Sequence, residues 1–142
     1  MPIDKTLIIR KIKFINEDMV KMERLSRMSF KVYESKYENE IVAERLIERI
    51  IGRMIDINYH IITASGYPPP KDFYESFTKL AELGILEGQF AQRMAQAAGL
   101  RNRLAHEYNG IDSKKIYQAL KQCFTDMPVY LSKITGSLNK TK

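Results

Sequence analysis

A chain of 142 residues with 44% apolar and 28% charged side chains can bury a core without metal or disulfide staples, and it is too apolar to be a disordered tail. Its one cysteine, Cys123, excludes an internal disulfide and fits a reducing, cytoplasmic setting. A formal charge of +6 favours polyanionic partners, although many ordinary proteins carry such a surplus.

The opening segment MPIDKTLIIRKIKFINEDM has charges every few positions, so it reads as neither a signal peptide nor a membrane span, and no membrane partner is expected. Ile8, Ile12, Ile15, Met19 and Met22 recur at spacings of four and three, which predicts a first helix from about Asp4 to Val32. The polar run Glu34 to Asn39 marks a turn. A second helix is predicted from about Glu40 to Ala64 by the pairs Val42/Ala43, Leu46/Ile47, Ile50/Ile51, Met54/Ile55 and Ile61/Ile62. Asn58 stands where an apolar residue is due, either as a satisfied core amide, the reading favoured, or as part of a polar site.

Gly66 and Pro68-Pro69-Pro70 end this helix, because proline lacks the N–H and clashes with the preceding turn. Asp72 with Glu75 resembles a capping box that opens a short third helix through Phe73, Phe77, Leu80 and Ala81, stopped at Gly84. A fourth helix starts near Glu87, with Phe90, Met94, Ala97 and Leu104 facing inward, and Asn109-Gly110 terminates it. Asp112 or Ser113 caps the last helix, in which Pro128 predicts a kink, and the tail 136–142 is expected to fray. Residues 1–142 are thus expected to form one domain, all-α, an antiparallel bundle of about five helices.

The stretch Arg101-Asn102-Arg103-Leu104-Ala105-His106-Glu107-Tyr108 does not read as routine bundle sequence. It gathers two guanidinium groups, an amide, an imidazole, a carboxylate and a phenol, and it holds one of the chain's two histidines. Asn102 and His106 are i and i+4 and share a face; Arg101 and Tyr108 share another. Arg101 and His106 are i and i+5, about 140° apart on an unbroken helix. They converge only if the helix loosens, if the arginine reaches round, or if a second subunit brings its copy. A neutral imidazole can take the proton of a 2′-hydroxyl, and a guanidinium can stabilise the charge on a phosphate. By residue types alone, a solvated helix end with a positive cluster favoured by the helix dipole is the preferred reading.

The segment resembles the Arg-x4-6-His motif of HEPN ribonucleases, in the Arg-x4-His-x-Tyr form of the HepT toxins: Arg101, His106 and Tyr108, with Asn102 directly after the arginine. The resemblance extends over most of the chain, through Ile-Asp-Ile-Asn-Tyr-His at residues 55–60, the proline-rich connection and Met127-Pro128. It implies a HEPN-like homodimer whose two motifs line a basic cleft. It implies metal-independent RNA cleavage by Arg101 and His106 with no cofactor, as the toxin of a type II toxin–antitoxin pair. It further implies an MntA-like nucleotidyltransferase antitoxin that attaches AMP to Tyr108. Glu107 departs from a purely basic motif. The competing reading is a non-catalytic HEPN-like dimer that binds a nucleotidyltransferase or a nucleotide.

Two neighbours of the motif remain. His60 reads as structural, and Asp56 is the better candidate to hold Arg101 if the second helix borders the cleft. Cys123 lies on an apolar stripe and reads as core. The sequence has no clustered Cys/His metal ligands and no phosphate-cradling glycine loop.

Overall fold

Side-chain oxygens set where the helices begin. Asp4 accepts from the Leu7 N–H at 3.1 Å and opens α1 (Lys5–Ser26). Ser29 accepts from Val32 and opens a separate short helix, α2 (Phe30–Glu34). The helix expected to run unbroken to Val32 is therefore two, because Ser29 competes for the backbone as a cap. The polar turn is also shorter than expected. α3 (Tyr37–Ala64) starts three residues early, and the Asn39 amide is buried in its first turn, donating to the Tyr33 carbonyl at 3.1 Å.

Gly66 adopts φ +93° beyond α3, ahead of the three prolines. The expected capping box forms at α4 (Phe73–Glu82): Asp72 accepts from the Glu75 N–H at 2.7 Å, while Glu75 reaches back to the Lys71 N–H at 3.0 Å. Gly84, at φ +79°, ends it. α5 (Gly88–His106) and α6 (Ser113–Lys140) complete the described chain, which covers residues 3–106 and 112–140 of the computed structural model. Asn109-Gly110 lies outside it. Asp112 accepts from the Lys114 N–H at 3.0 Å as α6 begins.

Pro128 sits inside α6 without ending it. It withholds one N–H from the helix, but buried Met127 and Tyr130 keep both halves on the core. α6 passes Gly136 and is helical to Lys140, with Leu138, only 4% exposed, packed on the core.

The order of contacts gives the directions. Asp4 meets His60, Lys11 meets Asp56, and Asp18 meets Arg53 and Arg49, so α1 runs antiparallel to α3. Ser113 meets Glu40 while Tyr130 meets Asn58, so α6 runs parallel to α3. The six helices of the described residues form a bundle around α3, which touches every other one of them and supplies Ile47, Ile50, Met54, Ile57 and Ile61 to the core.

A polar link crosses that core. The Tyr130 hydroxyl donates to Asn58 Oδ1 at 2.6 Å, Asn58 Nδ2 donates to Ser76 Oγ at 3.3 Å, and Ser76 Oγ donates to the Phe73 carbonyl at 2.7 Å. All three side chains are fully buried, so Asn58 is a satisfied core amide that joins α3, α4 and α6.

Candidate active site

Arg101 lies near the C-terminal end of α5, and α5 packs on α3 and α4. The α-helix runs without a break to His106, so Arg101 and His106 keep the register of about 140°. Loosening of the helix between them is thereby removed as the way they meet. What remains is the reach of the arginine or a second copy of the chain. The His106 side chain and residues 107–111, Tyr108 and Glu107 among them, lie outside the described residues.

Arg101 turns toward α3 and α4 rather than into solvent. Its guanidinium sits over the Phe73 ring, 5.6 Å from the centroid, and its Nε is buried with no hydrogen-bond partner among the described residues. Nε passes against Gly52 of α3, where a methyl group would lie 3.9 Å away. Asn102 and Arg103, one and two positions on, are exposed.

Arg101 forms one side of a groove of about 250 Å³ whose other wall is one face of α3: Arg45, Glu48, Arg49, Gly52, Arg53 and Asp56. Arg45, Arg49 and Arg53 stand at i, i+4 and i+8 and so share that face. Asp56 does border the groove, as expected if the second long helix flanks the site. It does not hold Arg101, however: its carboxylate pairs with Lys11 at 3.0 Å. α1 therefore supplies the cation that answers Asp56, and Arg101 rests on an aromatic face instead.

The acid that organises the groove is Asp18. Its side chain is fully buried under α3, with Oδ2 3.0 Å from Arg53 Nη1 and 3.2 Å from Arg49 Nε. Sequence reasoning passed over it, although the signal was present: a carboxylate on the apolar stripe, between Ile15 and Met22, needs cations facing it. Asp126 is a second such acid, buried on α6 and held by Arg93 at 3.0 and 3.3 Å and by Gln122 at 3.1 Å. Gly52 was also missed, since one glycine in a long helix carries no mark of what passes over it.

His60 is structural. Its Nε2 accepts the Asp4 backbone N–H at 2.9 Å and ties the start of α1 to α3. Cys123 contacts Met19, Sγ to Sδ 3.8 Å, and burial pushes its thiol up to about 12, with Asp126 adding to the effect. Among the described residues no helix is long and apolar enough to cross a membrane, and no three His, Cys, Asp or Glu side chains converge as metal ligands would.

Residues 15–134 match the family described as Ribonuclease HepT-like. The chain belongs to the HepT-like ribonuclease family. This HepT-like chain is 29% identical over 136 residues to the tRNA nuclease HepT of Aphanizomenon flos-aquae, covering 96% of itself and 92% of that protein. Over 70 residues, 49% of this chain and 53% of the other, it is 27% identical to a putative RNase of Archaeoglobus fulgidus. Its fold superposes on the tri-AMPylated HEPN toxin of Shewanella oneidensis in complex with MNT antitoxin, with a TM-score of 0.83, 19% identity, and coverage of 92% and 97% of the two chains. The cytosolic protein YutE of Bacillus subtilis, of unknown function, gives a TM-score of 0.85 at 16% identity, with coverage of 99% and 94%.

Proposed function

We propose that this HepT-like ribonuclease is the toxin of a type II toxin–antitoxin pair and that it cleaves RNA, with transfer RNA the first class to test, without a metal ion. The reading rests on one observation above others: Arg101 of an intact Arg-x4-His-x-Tyr motif is held at the edge of an arginine-lined groove rather than splayed into solvent. The Aphanizomenon relative, matched over nearly its whole length, supports the substrate class.

In this reading His106 removes the proton of a 2′-hydroxyl and the 2′-oxygen attacks the adjacent phosphorus. The bond to the 5′-oxygen breaks, that oxygen takes up a proton, and a 2′,3′-cyclic phosphate remains. Arg101 donates to the phosphate oxygens as charge builds on them. Two copies of the chain form a homodimer that brings Arg101 and His106 of both motifs to one cleft, overcoming their divergence on a single helix. The protein acts in the cytoplasm. An MntA-like nucleotidyltransferase disarms it by joining AMP to the Tyr108 hydroxyl, which sets a phosphate where the RNA phosphate would bind. The AMPylated Shewanella neighbour supports that step.

The test uses the purified protein with RNA in the presence of a chelator. Cleavage should persist, and His106→Ala and Arg101→Ala should each lower it by ~100-fold or more with the fold retained. Tyr108→Phe should block AMP addition by the nucleotidyltransferase, read by intact mass. Cleavage that vanishes with the chelator and returns with magnesium sinks the mechanism. Unchanged cleavage by His106→Ala moves the protein to the non-catalytic, partner-binding reading.

A further inference from the structure

The groove beside Arg101 contains more cationic surface than its carboxylates use. Arg45 is answered by Glu48 at 3.3 Å, and Asp56 is answered by Lys11. Arg49 and Arg53 are answered from beneath by Asp18, and the arrangement is lopsided. Both guanidiniums meet the same oxygen, Oδ2, while Oδ1 is buried with no hydrogen-bond partner among the described residues. Lys21 Nζ lies 3.9 Å from Oδ1.

Each guanidinium carries five N–H donors in a planar fork, of which the Asp18 contact engages one edge. The Arg49 and Arg53 side chains are 36% and 22% exposed, and both line the groove. Arg53 is further steadied over the Phe14 ring, 4.8 Å from its centroid. A buried acid that fixes two partly exposed arginines in place lowers the entropy they lose when they bind an anion.

We propose that Arg49 and Arg53 hold the backbone phosphates of the RNA strand beyond the scissile one, and that Asp18 is the positioning residue that presents them. Four residues of helix rise by about 6 Å, so the two arginines offer successive grips along α3, on either side of the level at which Arg101 meets Gly52. Buried Asp18 itself stays out of reach of the RNA. The inference rests on the ribonuclease reading and adds to it a binding track on α3.

Steady-state cleavage of a single-stranded RNA, together with RNA binding at several salt concentrations, tests it. The Arg49→Gln/Arg53→Gln variant should raise KM on the order of tenfold, with a much smaller change in kcat, as expected for lost charge-assisted contacts made in ground and transition states alike. Its plot of log affinity against log salt should flatten by about 1.4, two contacts at about 0.7 each for a single strand. Asp18→Asn gives a test of sign. It makes the protein more positive, so bulk electrostatics alone would tighten RNA binding, whereas loss of positioning weakens it. Thermal melting separates that outcome from unfolding, and the arginine variant tests the track even if Asp18→Asn does not fold.

Wild-type cleavage with unchanged KM and salt slope in the arginine variant overturns the track and leaves the ribonuclease reading standing. No cleavage or RNA binding by the wild type removes both. Dissociation of an oligomer on replacing Arg49 and Arg53 shows that they serve an interface between copies, and it overturns the track.

Discussion

Arg101 crosses α3 at Gly52, with its Nε 3.9 Å from where a glycine-replacing methyl group would lie. That distance is ordinary contact, so alanine fits and anything longer enters the path of the guanidinium. Gly52→Ala should keep RNA cleavage and raise stability by about 0.5–1 kcal/mol, the usual gain of alanine over glycine inside a helix. Gly52→Leu should leave the fold intact while lowering cleavage by ~100-fold, the size of a removed charge-stabilising group. Circular dichroism melts beside cleavage assays check both. Full activity in Gly52→Leu would mean that the place of Arg101 on α3 is irrelevant to catalysis.

The Arg101→Lys variant separates charge from shape. A lysine keeps the positive charge but offers neither the planar fork nor the broad face that lies over Phe73. Cleavage should fall nearly as far as in Arg101→Ala, with melting temperature little changed. A lysine variant close to wild type would show that a point charge is enough.

Removing the Tyr130 hydroxyl should be costly for stability. Tyr130→Phe takes away the donor to Asn58 Oδ1 and leaves that oxygen buried. The expected loss is about 1–3 kcal/mol, read from urea denaturation. A neutral outcome would require another donor to reach Asn58.

Cys123 should behave as a protonated, slow thiol in the folded protein. Burial holds its pKa near 12, against about 8.5 for a free thiol. A raised folded-state value means its contribution to stability is full below about pH 8.5 and is lost as pH rises toward 12. Alkylation at pH 8 should therefore be much slower in the native protein than in guanidinium. Equal rates would contradict the assignment.

The long helices were legible because apolar residues at 3.6-residue spacing leave a strong mark, and the Asp72 cap was legible because its partner lies only three residues away. The break at Ser29 was not. The stripe through Met22 and Leu25 points onward to Val32, and Ser29 shows itself as a cap only once buried Tyr33, in the helix it opens, is known to have a place in the core. Continuation of α6 past Gly136 was hidden for a similar reason, since a glycine in a tail reads as a stop unless Leu138 is known to have a core to enter. At the site, the motif was legible through its resemblance to HEPN ribonucleases rather than from spacing alone, and Asp56 lines the groove beside Arg101. The Lys11 that takes Asp56 is 45 residues away on another helix, and such a partner has no local signature. Asp18 could have been found by asking why an acid interrupts a buried stripe.

The link from Tyr130 through Asn58 to Ser76 acts as an index pin for the bundle. An apolar core tolerates sliding by a turn, since one Ile or Leu can replace another; a buried amide cannot slide without losing both of its partners. Helix α3 is thereby locked lengthwise against α4 and α6, and the same helix carries Gly52, Arg49 and Arg53. The height at which Arg101 meets them is set by a contact that no RNA touches. A genetic selection for cells that survive expression of this protein should therefore return alleles at Asn58, Ser76 and Tyr130 alongside those in the motif, in chains that still fold but no longer line up.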